Sequence, residues 1–460
     1  MNKLALFGGN PVRPEDQSLD EIWPDTRKED LDAVNRVFES QQYLGIHSKV
    51  IEDFEQDYAD YVGTKYAVAL GSGTAALHAA VSAVGVQPGD EVIVPALTFL
   101  ASATSVLHGV GIPVFADIDP ITYNIDPTSI EEKISPRTKA IMVVDLHGLP
   151  ADYETIRAIA KKHNLAIIED AAHATGASYF GKKAGSLGDV AGTSIMSGKQ
   201  LPACGEGGVF STDDETAYNR AGLIRMFGEV IRKDQPRSYN AYTLGWNYRL
   251  NPIQAAFVHS QLKRLDDYSE QFISNGTYLS EGMQDLPGLI PPHVPDGYTH
   301  VYHMFRFKVD PEAAGVEVPA GRLTQAIDDA MAAEGLPFRY YQSIPVPGQA
   351  VFQLKEGFGN GVPWTLPDAR EINYDIEEYP TTLEVIETTR CIGRGGSSGP
   401  NYFRSRKAMD LYLEGFHKVW KNLPELVSYA TSMDYHPPWG EIGAPSTRGN
   451  WTVLTPSYRG

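Results

Sequence analysis

The sequence predicts an α/β protein with a mostly parallel central sheet and a second, smaller α+β region. Three observations indicate this fold. Short apolar runs alternate with helix-spaced segments between Tyr66 and Ala191, a glycine-rich turn follows the first run, and an acidic residue ends a later run. Strands that alternate with helices favour parallel pairing in one layered domain. The 460 residues allow a large core with a second lobe.

The predicted elements follow from hydrophobic spacing. The apolar runs predict strands at 67–70, 92–95, 113–116, 140–144 and 165–168. Helical spacing predicts helices at 74–84, 101–107, 151–163, 214–226 and 252–268, and a final helix at 402–423. An amphipathic stretch also lies near 30–39.

The composition predicts three parts of the chain. It shifts after the long predicted helix, near residue 268, and two stretches rich in proline and glycine follow at 286–297 and 357–367. We expect an N-terminal arm and large domain at 1–268 and a small C-terminal domain at 269–436. The tail at 437–460 is rich in Pro, Gly and Ser without periodicity, which is typical of an extended arm or a disordered segment.

Charge and composition argue against several classes of protein. The formal net charge of −19 argues against binding to nucleic acid or to anionic membrane surfaces. Two cysteines cannot form a disulfide framework, and the twelve histidines lack the spacing of a metal site. No apolar run is long enough for an export signal or a membrane span, so we interpret the chain as a cytoplasmic protein without a metal.

The glycine-rich turn predicts a phosphate site. Gly71-Ser72-Gly73-Thr74 follows the first strand and opens a helix, whose N-terminal N–H groups bind anions. A dinucleotide site would need an acid at the end of the next strand. Asp90 instead lies before that strand, which disfavours this alternative. A plain tight turn is the remaining alternative.

An acid and a lysine form the second pattern. Asp170 follows the run at 165–168, and Lys199 lies 29 residues later in a turn rich in Ser and Gly. An acid that keeps a pyridine nitrogen protonated and a lysine that forms a Schiff base are what a pyridoxal phosphate enzyme needs. The alternatives are a helix cap and a solvated lysine. Nearby Cys204 is interpreted as a small buried side chain rather than a nucleophile.

Five ordered stretches resemble the DegT/DnrJ/EryC1/StrS family of sugar and cyclitol aminotransferases. They are residues 72–78, 98–102, 169–173, 194–199 with 205–208, and 245–249, and the resemblance covers roughly 5–425. It implies a pyridoxal phosphate-dependent transferase of fold type I, with pyridoxal 5′-phosphate as the cofactor. It also implies a homodimer with shared active sites.

The resemblance implies a role for each matching residue. Lys199 would carry the Schiff base and move a proton, and Asp170 would pair with the pyridinium nitrogen. Phe99 would stack on the ring, unless it packs in the core, and His173 would lie next to the ring's phenolic oxygen. The remaining implied contacts are those with the phosphate: Gly73, Thr74, Ser194 and, from the neighbouring subunit, Asn247.

Two residues near position 250 have alternative interpretations. Asn247 would otherwise cap the helix predicted from residue 252. Arg249 is either a structural ion-pair partner or a contact for a substrate carboxylate. The family usually continues with Met-Thr/Ser-Glu at 250–252, whereas this chain has Leu-Asn-Pro.

The expected function is transfer of an amino group. The segment at 338–349 resembles the branch that acts on inososes and other cyclitols with glutamine as donor. We expect L-glutamine or L-glutamate as donor and a ketone of a cyclitol, sugar or related intermediate as acceptor. One alternative is dehydration or oxidation–amination with the same cofactor. The family's dehydratases carry His in place of the lysine, so Lys199 disfavours that branch. A non-enzymatic regulator is the third hypothesis.

Overall fold

The computed structural model describes residues 3–14, 22–233, 235–338, 340–393 and 405–440. Its helices are α1 Lys28–Ser40, α2 Lys49–Val62, α3 Gly73–Ala83, α4 Leu100–His108, α5 Pro127–Lys133, α6 Tyr153–His163, α7 Glu215–Arg225, α8 Pro252–Leu262, α9 Leu265–Gly282, α10 Ala320–Ala333, α11 Ala350–Leu354, α12 Pro380–Thr388, α13 Arg406–Lys421 and α14 Leu423–Ser432. Its strands are β1 Tyr66–Leu70, β2 Glu91–Pro95, β3 Ile112–Ala116, β4 Thr138–Val144, β5 Ala166–Asp170, β6 Ser178–Tyr179, β7 Lys182–Lys183, β8 Val190–Ser194, β9 Gly208–Thr212, β10 Leu289–Ile290, β11 Tyr298–Thr299, β12 Met304–Val309 and β13 Thr389–Gly393.

Seven strands form the central sheet in the order β1-β9-β8-β5-β4-β2-β3. The pairs from β8 to β3 are parallel, and β9 runs antiparallel to both of its neighbours. In register, Asp170 lies between Val144 and Gly192. Strands β2 and β3 are buried along their whole length, as expected where helices cover both faces of a parallel sheet.

The sheet confirms the predicted fold class. All five predicted strands are present, with small differences at their ends. Strands β8 and β9 were not predicted because Gly, Ser and Thr interrupt their apolar pattern. Tertiary packing overrides this weak local preference, and both strands lie almost wholly buried in the sheet.

Two predicted helices need correction. The helix predicted at 252–268 is two helices, which break at Arg264, where the backbone leaves helical geometry. The guanidinium of Arg264 donates to Asp30 Oδ2 at 2.8 Å, which anchors the break against α1. The helix predicted at 402–423 is α13, but it is not the final one. A separate helix, α14, follows it and has a proline in its first turn. The N–H groups of a first turn have no partner within the helix, so a proline there costs no hydrogen bond.

A second core lies outside the central sheet. It joins α9, α10, α13 and α14 to the antiparallel sheet β10-β12-β13 and also buries Trp23. The division after residue 268 stays a prediction, since α9 crosses that position. Most of the predicted tail, residues 441–460, lies outside the described residues.

The helices and the metal-ligating side chains of the described residues both lack one feature. None of their helices is both long and apolar enough to cross a membrane. No group of three or more His, Cys, Asp or Glu side chains within that part of the chain is arranged to hold a metal ion.

Candidate active site

A cavity of about 560 Å³ lies at the carboxyl edge of the parallel strands. The last residues of β4, β5 and β8 line it: Val144, Asp170 and Ser194. Its opposite wall comes from the C-terminal part of the chain and includes His303 and Tyr341. Ligands of open α/β sheets bind at this edge, so the cavity is the candidate active site.

One end of the cavity is the start of α3. Ser72 caps the helix, and its Oγ accepts from the N–H of Ala75 at 3.1 Å. The first N–H groups of a helix, here those of Gly73 and Thr74, have no carbonyl partner within the helix. A Cβ on Gly73 would lie 2.7 Å from the Cβ of Ser194, so only glycine allows this close approach. The helix N-terminus and the Ser194 hydroxyl together suit a phosphate group.

Gly207 and Gly208, which end the matched stretch that contains Lys199, allow close packing at this end of the cavity. A Cβ on Gly208 would lie 2.2 Å from the carbonyl oxygen of Ser72, and one on Gly207 would lie 2.7 Å from Ile195. Both distances are too short for any larger residue. The motif therefore brings β9 directly against the loop that opens α3.

Asp170 is a buried carboxylate with two hydrogen bonds. Ser102 Oγ donates to its Oδ2 at 2.7 Å, and the N–H of Ala172 donates to its Oδ1 at 3.1 Å. Burial raises the pKa of Asp170, while Ser102, Ala172 and the charge of Lys199 lower it. Burial has the larger effect, so a positive charge placed beside the carboxylate would stabilise its ionised form. A pyridinium nitrogen would supply that charge.

Lys199 lies in a tight turn after β8. Its N–H donates to the carbonyl of Met196 at 2.8 Å, and its own carbonyl accepts from the indole of Trp23 at 3.2 Å. The turn closes further where the N–H of Ser197 donates to the carbonyl of Gly205 at 2.8 Å. These backbone contacts place the Lys199 side chain at the wall of the cavity that also holds Asp170.

Two rings line the cavity near Asp170. Phe99 immediately precedes α4 and is 60% exposed, so it is not a core residue. His173 is buried in the turn after Asp170 and stacks on His303 with ring centroids 4.1 Å apart. The exposed ring of Phe99 offers an aromatic face to a planar ligand, whereas the ring of His173 packs against His303.

The fold brings most of the predicted site residues together. The cavity-lining residues include Gly73, Thr74, Phe99, Asp170, His173, Ser194 and Lys199. Asn247 is not among the described residues that line the cavity, and it is exposed. Its neighbour Tyr248 nevertheless accepts from the N–H of Gly71 at 2.7 Å, so Asn247 lies beside the phosphate loop but outside the cavity.

Several contributors to the site were not predicted. Ser102 lies in the matched stretch 98–102, three residues after Phe99. Because side chains three residues apart are neighbours on a helix, this spacing could have indicated that Ser102 lies close to the site. Trp23 is far from the motifs in the chain, and no local pattern marks it. Tyr341 lies in the stretch 338–349 that resembles the cyclitol branch, but the sequence assigned it no role in the site. Only the packing of distant segments brings them to Lys199 and His173.

The structure decides several of the alternative interpretations. Asp170 ends a strand and is followed by turns, so it does not cap a helix. The cap of α8 is Asn251, whose Oδ1 accepts from the N–H of Ile253 at 2.9 Å, so Asn247 is not that cap. Among the described residues Arg249 has no ion pair, and its Nη1 is buried without a partner.

The interpretation of Cys204 as buried is wrong. Its side chain is exposed, because the turn after Lys199 carries it to the surface near Ile253. Partial burial nevertheless raises the pKa of the thiol. A raised pKa disfavours the thiolate that a nucleophile needs.

The dinucleotide alternative also fails on geometry. Asp90 precedes β2, and Glu91 is the first residue of that strand, at the edge opposite the cavity. Glu91 is engaged there by Arg370 at 2.6 Å and by the hydroxyl of Ser135. No acid at this position can reach a ribose at the start of α3.

The fold and the site define a pyridoxal phosphate-dependent transferase of fold type I. The residues fit the cofactor. The start of α3 suits its phosphate, the exposed face of Phe99 suits its ring, and the buried carboxylate of Asp170 suits a protonated nitrogen. Lys199 would provide the amine to which the cofactor attaches.

Comparison with known proteins identifies the family. The DegT/DnrJ/EryC1/StrS aminotransferase family matches residues 24–381, so the chain belongs to this family, whose members use pyridoxal phosphate. GDP-perosamine synthase of Caulobacter vibrioides is 42% identical over 57% of this chain and 69% of its own length. A Streptoalloteichus tenebrarius protein, provisionally assigned as L-glutamine:3-amino-2,3-dideoxy-scyllo-inosose aminotransferase, is 35% identical over 73% of this chain and 79% of its own.

Solved structures agree with the fold. The crystal structure of 3-amino-5-hydroxybenzoic acid synthase superposes with a TM-score of 0.73 and 26% identity. The match covers 90% of this chain and 98% of that one.

Proposed function

We propose that this protein transfers the amino group of L-glutamine or L-glutamate to a ketone of a cyclitol, a sugar or a related biosynthetic intermediate. The observation that carries the proposal is the meeting of Lys199 and Asp170 in one cavity with the N-terminus of α3. The relatives named for an amino sugar and an aminated inosose support the acceptor class.

Each residue of the site has a proposed task. Bound pyridoxal phosphate supplies an electron-withdrawing ring that holds the amino group between the two substrates. Lys199 Nζ takes and returns a proton at the substrate Cα. Asp170 holds a negative charge at the inner end of the cavity, and its bonds from Ser102 and Ala172 fix its direction. Phe99 orients the ring and shields it from water.

The amino donor is tested by one half-reaction. Adding L-glutamine alone to the loaded enzyme should remove the visible absorbance of the cofactor and release one keto acid per site, measured by spectroscopy and mass spectrometry. L-Glutamate and L-alanine serve as comparisons, and Lys199→Ala is the control that should not respond. A spectrum unmoved by all three amino acids would favour dehydration or oxidation–amination instead.

A homodimer with shared sites is the second part of the proposal. Exposed apolar side chains are concentrated at 230–246, including Tyr239, Tyr242 and Leu244, each at least 68% exposed. Such a patch favours a partner surface. Because Asn247 directly follows this segment and is exposed, a two-fold related copy would cover the patch and place each Asn247 near the other subunit's phosphate site.

Mixing two inactive variants tests this arrangement. Lys199→Ala lacks the amine, and in Asn247→Asp the added charge repels the phosphate. A mixed dimer has one site with both residues intact, so random exchange should restore about a quarter of the wild-type activity. Exchange is verified by native mass spectrometry with subunits of different tag length. A mixture that exchanges and stays inactive would show that Asn247 serves its own chain.

A further inference from the structure

A series of hydrogen bonds runs through the loops after β4 and β5 to the cavity wall opposite the strand ends. It starts at the buried Arg306, passes through His147 and His173, and ends at the hydroxyl of Tyr341. His173 and Tyr341 line the cavity. The direction of each bond decides which group has a hydrogen left for a ligand.

The first bond orients His147. Arg306 Nη1 lies 3.1 Å from His147 Nε2, and a guanidinium only donates, so Nε2 accepts. Burial and the charge of Arg306 lower the pKa of His147, which keeps its ring neutral with the hydrogen on Nδ1. Arg306 is itself buried, and its other hydrogen bonds within the described part of the chain go to uncharged groups, the Thr389 hydroxyl and the Val385 carbonyl.

The second bond comes from the backbone of His147. This residue has φ 59°, a left-handed conformation that a non-glycine residue rarely adopts. The conformation directs its N–H to His173 Nδ1 at 3.4 Å. Because a backbone N–H only donates, Nδ1 of His173 accepts, and the ring hydrogen of a neutral His173 is on Nε2. Backbone strain at this position is consistent with a functional constraint.

The third bond connects His173 to Tyr341. His173 Nε2 lies 3.1 Å from Tyr341 Oη, so Nε2–H donates and the hydroxyl oxygen accepts. The ring of Tyr341 is held edge-on against His147 and His173, with centroids 4.9 and 5.5 Å away. Apart from His173, none of the described residues has a polar group within hydrogen-bond distance of the Tyr341 hydroxyl. Its hydrogen is therefore free to bond to a ligand in the cavity.

Tyr341 keeps this hydrogen at any working pH. Burial raises the pKa of the phenol far above its ordinary value, and the negative charge of Asp170 raises it further. The two hydrogen bonds linked through the ring of His173 make the hydroxyl a better donor, because hydrogen bonds in sequence polarise one another.

We propose that Tyr341, and not His173, is the hydrogen-bond donor that this wall of the cavity offers to the bound ligand. The acceptor is an oxygen of the cofactor or of the amino donor bound against it. His173 is a positioning residue: its two ring nitrogens are engaged by His147 and Tyr341, and it holds the phenol in place. The inference rests on the proposed function, and it revises the expectation that His173 itself contacts the ring oxygen.

Tyr341→Phe tests the proposal, because it removes one hydroxyl and keeps the ring. If the acceptor belongs to the cofactor, pyridoxal phosphate should bind about tenfold more weakly or more, with a shifted visible maximum. If it belongs to the amino donor, cofactor binding should be unchanged. The single-turnover kcat/KM with L-glutamine or L-glutamate, whichever converts the wild type, should then fall about 10- to 100-fold.

The matched control is Tyr412→Phe. Tyr412 is a buried tyrosine whose hydroxyl donates to the carbonyl of Pro337 at 2.9 Å, away from the cavity. Both variants are compared by thermal unfolding, and the control should match the wild type in cofactor binding and turnover. If Tyr341→Phe also matches the wild type in both, Tyr341 is not the donor.

A second measurement does not depend on the variant folding. Nitrogen-15 NMR of cofactor-free protein with isotope-labelled histidines reports the tautomer of each imidazole ring. The signals of His173 are identified by their absence from the spectrum of His173→Asn. We expect the hydrogen on Nε2, and a hydrogen on Nδ1 would overturn the proposal whatever the rates. A wild-type enzyme that binds the cofactor but converts neither amino acid would contradict the proposed function instead. In that case the role of Tyr341 would still be tested by the cofactor affinity of Tyr341→Phe and by the tautomer of His173.

Discussion

Lys199→Ala should bind pyridoxal phosphate and show no transamination. The backbone contacts of Lys199 to Met196 and Trp23 do not involve its side chain, so alanine leaves the turn intact. The α3 N-terminus and Ser194 remain to hold the phosphate. Loss of proton transfer alone removes about 10²- to 10⁴-fold in rate, and loss of the covalent attachment adds to this.

The measurement combines turnover with chemical trapping. The wild type should be yellow, and borohydride should fix the cofactor to Lys199, located by peptide mass spectrometry. Lys199→Arg is the matched control: it keeps the positive charge near Asp170 but cannot form the bond, so it should be equally inactive. Turnover in Lys199→Ala close to that of the wild type would refute an aminotransferase mechanism at this site.

Asp170→Asn should lower the rate by about 10²-fold or more while leaving the fold unchanged. Asparagine has nearly the same shape, its oxygen can still accept from the N–H of Ala172, and the Ser102 hydroxyl can rotate to accept. What is lost is the negative charge that keeps a ring nitrogen protonated. Removing one group that stabilises the charge of a transition state typically costs this much.

The control for this charge is Asp189→Asn. Asp189 accepts from the N–H of Ile167 at 2.7 Å and precedes β8, at the opposite edge of the same sheet. The same substitution there should leave turnover unchanged. Comparable rates for Asp170→Asn and the wild type would mean that this carboxylate only fixes the turn after β5.

The motifs alone were enough to predict the class of fold, the family and seven of the residues that line the cavity. Apolar runs alternating with helical spacing reflect burial on both faces of a parallel sheet, so they remain visible in the sequence. The glycines at 73 and 208 lie in the motifs because their close contacts exclude any side chain. Lys199, Asp170 and Ser194 end strands or follow them closely, where local sequence determines position.

Contacts between distant segments could not be predicted in the same way. Strands β8 and β9 have too few apolar residues to be recognised locally, yet partners on both sides bury them. The break between α8 and α9 is anchored by Asp30, more than 200 residues earlier in the chain. Such features depend on the packing of whole elements, and no window of sequence contains both partners.

The sequence by itself determined the family, the cofactor class and seven of the eight proposed site residues that meet in the cavity. Only the tertiary structure decided that Trp23 supports the lysine turn and that Asn247 lies outside its own chain's cavity. It alone placed Tyr341 against His173 and gave that hydrogen bond its direction. The physical reason is that side-chain orientation and hydrogen-bond direction depend on partners brought together by folding, whereas strand ends and glycine contacts are encoded locally.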